Sequence, residues 1–181
     1  MVSSLHPRPF RVFAGSSSRE LGSRVAAHLG VHLGESLLST FADGETRFEI
    51  QENVRGLDVY IVQSTSNPVN HNLMELLVMC DAFRRASVRS VCAVVPYYGY
   101  SRQDRKPAPR TPITARLVAD LIEAAGFNRL ISVDLHAGQI QGFFSFPVDH
   151  LFSMNTLFQG IQADLKGREL TVVSPDAGGT E

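Results

Sequence analysis

Between positions 96 and 116 the chain reads PYYGYSRQDRKPAPRTPITAR, and nine residues of it hold Arg102, Arg105, Lys106 and Arg110. A basic run of this kind is either a solvated loop or a polyanion site. Pro107, Pro109 and Pro112 stiffen the stretch and limit the entropy lost on ordering, and an apolar strand expected over 91–95 leads into it. Both features favour a phosphate ligand. Arg102 carries the planar fork of donors that suits a pair of phosphate oxygens, and Gln103 beside it both donates and accepts, as a base edge requires. Asp104 is expected to hold the flanking arginines extended. Tyr97, Tyr98 and Tyr100 either stack on a purine or pack beneath the loop, and packing is expected of Tyr97 and Tyr98.

Three further groups can do chemistry. Asp134-Leu135-His136 ends an apolar run and sets an acid and an imidazole on the same side of the chain, so His136 is a candidate contact for a metal or a phosphate, or else a hydrogen-bonded structural histidine. Asp176 precedes two glycines that let a backbone approach closely; it fits Mg2+ bound through water, a sugar hydroxyl, or a simple Asx turn. Asp43-Gly44-Glu45 reads, on spacing alone, as a hairpin tip. His6, His28, His32, His71 and His150 have no paired spacing and no cysteine partner, so no zinc site is expected. Neither a Walker A sequence nor a Rossmann glycine fingerprint is present.

The elements that position these groups alternate between strand and helix. Strands are expected at PFRVFAG and over 58–63, 91–95, 129–133 and 170–173, with two more over 36–40 and 46–50 forming a hairpin outside the main sheet. A capping box at Ser17 and Glu20 opens a helix with Leu21, Val25 and Leu29 on one face, ended by Gly30. A second helix runs over 70–86. A third is capped by Thr111 with Pro112 in its first turn, and buries Ile113, Leu117 and Leu121 before Gly126. The run GQIQGFFSFPVDH looks irregular, and a helix follows over 154–164. Such alternation predicts an α/β fold, a parallel sheet wrapped by helices, whose polar strand ends converge on one crevice.

Of 181 residues, 44% are hydrophobic and 19% charged, with a net charge of -1. That balance argues against a general nucleic-acid binder. Cys80 and Cys92 sit among apolar neighbours and read as buried free thiols, which points to an intracellular compartment. No signal-peptide core and no long apolar run is present, so a cytoplasmic protein without a membrane partner is expected. The final strand breaks into SPDAGGTE where a helix should begin, which predicts a portion of a longer protein with a second domain opening near Val148.

Ordered motifs between Val12 and Gly179 resemble the ribose-phosphate pyrophosphokinase family, also called phosphoribosyl pyrophosphate synthetases. They are FAGSSSREL, FADGE, ENVRG, IVQST, NPVN, LMELL, PYYGYSRQDRK, PITARLVADL, VDLHAGQIQGFF, PVDHL and SPDAGG. The resemblance implies a phosphoribosyltransferase-like fold in two similar domains, here 1–147 and the start of another over 148–181, and a homo-oligomer of dimers forming a hexamer. It implies transfer of pyrophosphate from ATP to the anomeric hydroxyl of ribose 5-phosphate, with Mg2+ required. Carried over by motif, Phe41, Asp43, Gly44, Glu45, Arg102 and Gln103 belong to the ATP site, with Asp43, Gly44 and Glu45 reaching the adenine in a neighbouring subunit. His136 and Asp176 would hold Mg2+ and its ligands.

The chain also departs from the family's pattern. Pro107, Ala108 and Pro109 supply no additional cation where relatives have one, and Ser18 and His71 stand where His or Asn and Asp are common. The lysine-bearing catalytic loop and the loop for the sugar 5-phosphate would both lie beyond Glu181, so the 181-residue chain is expected to be inactive alone. Two other functions compete: a non-catalytic subunit that regulates a true synthetase, and a phosphoribosyltransferase that consumes its product.

Overall fold

The computed structural model describes residues 8–167 and 171–174. One compact unit ends at Leu151 and a second begins at Phe152. In the first, β1 (Phe10–Ala14), β4 (Asp58–Val62), β5 (Ser90–Val95), β6 (Arg129–Val133) and β7 (Val148–Leu151) form a five-stranded sheet in that spatial order. Every neighbouring pair is parallel. The helices between them are α1 (Arg19–His28), α2 (Val69–Arg85) and α3 (Thr114–Ala125). β2 (Ser36–Thr40) and β3 (Thr46–Ile50) form the separate antiparallel hairpin.

The strands carry apolar residues on both faces, as parallel sheets packed by helices do, with one face fully covered and the other covered in part. On one face Phe13, Val59, Ile61, Ala93 and Leu130 meet Leu76, Met79, Phe83, Val118 and Ile122 of α2 and α3 in one core. Each fully buried Leu, Ile or Phe contributes about 1.5–3 kcal/mol. The hairpin joins this core through Phe48, whose ring lies 5.5 Å from that of Phe83. On the other face Val12, Ala14 and Val62 pack with Ala26 of α1. The apolar stripe of Leu21, Val25 and Leu29 is not what packs: Leu21 and Leu29 are exposed, and α1 seats itself through Gly22 and Ala26. The approach is close, since a Cβ on Gly22 would stand 2.5 Å from the Cβ of Ala14. Beyond α1 this face stays open as an apolar groove of about 350 Å3 over Tyr60, Val94 and Ile131.

On α3 the expected buried stripe is corrected: Leu117 and Leu121 face outward while Ala115, Val118, Ala119 and Ile122 are buried. α3 also starts later than expected: Thr111 Oγ1 donates to Ala108 O at 2.7 Å instead of capping the helix. Gly126, with φ 103°, ends α3 as expected. The capping box at Ser17 and Glu20 does not form. A short 3-10 turn, Ser16–Ser18, precedes α1, and Ser17 Oγ lies instead 2.7 Å from both Gln63 Oε1 and Ser64 O, with one hydroxyl proton to donate to either.

Val148–Leu151, expected in an irregular run and at the opening of a further domain, is the fifth strand of the sheet. In the second unit α4 (Met154–Leu165) carries no buried residue and exposes Leu157, Phe158 and Ile161. The strand expected over 170–173 is not formed at 171–174, and Leu170 lies outside the described residues.

Candidate functional site

The two ends of the sheet differ in charge pairing. At the amino end Arg89 grips Asp58 with two hydrogen bonds of 2.8 and 2.6 Å, and Arg129 grips Asp149 with two of 2.5 and 2.9 Å. The hydrogen bonds from these arginines hold both carboxyls below their ordinary range. The amino end is thus closed by neutralised charge. The carboxyl end carries the polar strand ends and the basic loop, the arrangement by which open parallel sheets take ligands.

Three carboxyl-end loops are tied together. After β1, Ser16 N donates to Glu75 Oε1 at 2.7 Å, and Gln63 Nε2 donates to the same oxygen at 2.7 Å. Gln63 and Glu75 are fully buried, so α2 anchors the β1 and β4 loops through a satisfied polar pair. His71 Nε2 approaches Glu75 Oε2 at 3.5 Å. After β4, Thr65 Oγ1 donates to Tyr97 O at 3.0 Å and accepts Gly99 N at 2.7 Å, which moors the start of the basic loop.

A cavity of about 190 Å3 opens between the β5 and β6 ends, lined by Tyr97, Tyr98, Ser101, Arg102, Asp134, Leu135 and His136. Arg102 and His136, candidates separated by more than thirty residues of sequence, therefore share one space. Arg102, Arg105, Lys106 and Arg110 are all exposed, and none has a carboxylate partner among the described residues. Asp104 does not hold the arginines, as was expected; its carboxylate accepts Gln139 Nε2 at 2.7 Å. Tyr98 packs as expected, 3% exposed with its hydroxyl on Ala115 O at 3.0 Å, and burial raises its phenol above the ordinary value. Tyr97 does not pack away: it is 47% exposed and lines the cavity. Tyr100 is half exposed, its hydroxyl on Asn70 Oδ1.

The remaining candidates lie elsewhere. Gln103 is outside the cavity lining; its Oε1 accepts Thr114 Oγ1 at 2.6 Å, so its side chain is drawn to the start of α3. Phe41, Asp43, Gly44 and Glu45 form the exposed hairpin tip. There Phe41 N donates to Glu45 O at 2.8 Å, and Asp43 Oδ1 accepts Glu45 N at 3.2 Å. Asp176 lies outside the described residues. The sequence reading missed Ser101 as a lining residue and Glu75 as a loop anchor; the signal for Glu75 was an acid inside the apolar run LMELL.

Among the described residues no group of three His, Cys, Asp or Glu side chains could enclose a metal. Asp134 and His136 stand together on one exposed turn and line the cavity. Cys80 and Cys92 are free and buried, and burial pushes both thiols up to about 12, so neither is a ready metal ligand or nucleophile. No helix among the described residues is long and apolar enough to cross a membrane.

The profile of the N-terminal domain of ribose phosphate pyrophosphokinase matches residues 10–126. The chain belongs to the ribose-phosphate pyrophosphokinase family. It is 54% identical over 169 residues to a ribose-phosphate pyrophosphokinase of Brucella melitensis, covering 93% of this chain and 54% of that one. It is 53% identical over 171 residues to that of Aquifex aeolicus, covering 94% and 55%. The crystal structure of phosphoribosylpyrophosphate synthetase from Mycobacterium smegmatis superimposes with a TM-score of 0.90 at 44% identity, over 94% of this chain and 57% of that one. The chain thus spans about half the length of the relatives it matches.

Proposed function

We propose that this chain is the ATP side of a ribose-phosphate diphosphokinase, which transfers pyrophosphate from ATP to ribose 5-phosphate. The observation that carries the reading is the cavity shared by Arg102 and His136, walled by a loop whose four exposed cations have no carboxylate partner among the described residues. In the reaction the anomeric oxygen bonds to the β phosphorus, the bond from that phosphorus to the α,β-bridging oxygen breaks, and AMP leaves with the bridging oxygen. Such a transfer depends on positioning and charge neutralisation more than on covalent help from the protein. Arg102 binds the triphosphate oxygens and Tyr97 closes the cavity beside it. Gln103 contributes from the loop edge through the amide nitrogen that Thr114 leaves free.

His136 and Asp134, with Asp176, would hold Mg2+, which when bound neutralises charge on the triphosphate. Phe41, Asp43, Gly44 and Glu45 take the adenine of a neighbouring subunit; the exposure of the hairpin tip supports this, because an element turned outward can reach a second copy. The protein is a cytoplasmic homo-oligomer on this reading, built of dimers that form a hexamer. Beyond the first unit, which ends at Leu151, a second, similar domain begins that supplies the catalytic lysine loop and the sugar-phosphate loop.

The decisive experiment measures AMP formation with ATP and Mg2+, with and without ribose 5-phosphate, for the full-length protein and the 181-residue chain. Sugar-dependent AMP from the full-length protein and none from the chain is expected. A full-length protein that binds ATP and Mg2+ yet forms no AMP would place it with the regulatory subunits instead.

A further inference from the structure

The turn that carries His136 has an unusual backbone. Asp134 has φ 45°, the left-handed region that residues other than glycine rarely enter. Such a conformation persists where its surroundings over-determine it. Here two consecutive amides of the turn are both taken by β7. Asp134 N donates to Leu151 O at 2.9 Å, and Leu135 N donates to His150 Nε2 at 2.9 Å. β7 is itself held in register, by the Arg129–Asp149 pair and by Leu130 N on Pro147 O at 3.2 Å.

The second of these bonds is the informative one. Leu151 offers a main-chain carbonyl, which any residue at that position would supply. His150 offers a side chain, so its identity matters. A carbonyl oxygen of Asn or Gln could accept the Leu135 N–H, and so can an imidazole whose other nitrogen carries the proton, whereas an apolar side chain cannot. Leu135 is buried beside the cavity, and an amide there without an acceptor would be free to turn. Its rotation would swing both neighbours, Asp134 and His136, which line the cavity opposite Arg102.

We infer that His150 is a positioning residue: its imidazole accepts the Leu135 amide and so fixes the left-handed turn that presents Asp134 and His136 to the cavity. The inference rests on the reading of that cavity as the site of the metal-bound triphosphate. It assigns a role to a histidine that spacing left without one, and it makes β7 part of the site.

The test uses the full-length protein as wild type, His150→Leu and His150→Gln, with hydrogen exchange of the Leu135 amide and titration with ATP and Mg2+. Loss of a partner that orients a metal-site residue typically weakens binding about 10–100-fold. His150→Leu is expected to weaken ATP-Mg2+ binding by about that factor and to lose protection at Leu135, while His150→Gln, which keeps an acceptor, restores most of both. A merely structural role would not distinguish the two variants in this way. Wild type and His150→Leu binding equally well with Leu135 equally protected would overturn the inference, as would a loss in His150→Gln as large as in His150→Leu. If His150→Leu does not fold, the wild type still decides, because an unprotected Leu135 amide overturns it. Wild-type protein that binds no ATP and Mg2+ would sink the reading of the cavity instead, while the exchange comparison still reports on the turn.

Discussion

The turn at Asp134–His136 and the basic loop of 96–116 wall the same cavity, yet the chain holds them differently. The turn is short and fixed at successive amides by β7, so its strained residue is over-determined. The loop is long and is moored at separate points, with Tyr100 on Asn70 and Asp104 on Gln139 besides those toward its two ends. Thr65 holds the beginning, and Tyr98 together with Gln103 holds the approach to α3, where Ala115 N donates to Gln103 O at 3.1 Å. Between these moorings stand Arg105, Lys106 and Arg110, all exposed. A metal ligand needs a fixed direction, whereas cations meeting a triphosphate act through charge and tolerate movement. The contrast therefore matches what each wall would do on the proposed reading.

That comparison is most sharply broken at Arg102. It is exposed and has no carboxylate partner among the described residues, so Arg102→Ala in the full-length protein is expected to leave thermal stability unchanged and to lower pyrophosphoryl transfer about 100–1,000-fold. A variant that lost stability but kept its rate would show Arg102 to be structural. Next is the mooring at Tyr98, where Tyr98→Phe removes the hydrogen bond to Ala115 O inside the core. Urea denaturation should register a loss of about 1 kcal/mol. An unchanged midpoint would mean that the end of the loop is held by packing alone.

The ion pair that keys β7 is expected to matter less. The Arg129 hydrogen bonds hold Asp149 below its ordinary value, so the folded state binds its proton less readily than the unfolded state does. The stabilisation is full above the unfolded value of about 3.9 and is lost as pH falls through the lower folded value. A difference between wild type and Asp149→Asn of at most about 1 kcal/mol at neutral pH should therefore shrink on acidification below that point. A difference that persists in acid would rule out the pair as its source. The smallest effect is expected at Lys106. Lys106→Ala should weaken ATP binding a few-fold in dilute buffer, and the deficit should fade as salt shortens the screening length to about 10 Å at 0.1 M. A salt-independent deficit would mean a fixed contact rather than a mobile charge.

Much of this architecture was legible in the chain itself. Apolar runs of five or so residues alternating with helical periodicity announce a covered parallel sheet, and Gly126 marks its helix end because a left-handed residue is needed there. Local chemistry also marked Arg102 and His136, since clustered cations and an imidazole at a strand end need no fold to be noticed. The stripe on α3 was misjudged, and that on α1 does not pack, because periodicity selects the larger side chains, while close helix-to-sheet approach selects Gly22, Ala26, Ala115 and Ala119. β7 escaped because VDHL is four residues long and half polar.

By itself, then, the sequence determined four of the five sheet strands, the hairpin, the buried thiols and the family, because each depends on residue type repeated at short range. Tertiary structure alone decided that Arg102 and His136 meet in one cavity, that Gln103 turns toward α3, and that His150 reaches the amide of Leu135. Those are pairings across separate strands and loops. They depend on register and on the direction of single side chains, and no local pattern of residues encodes either.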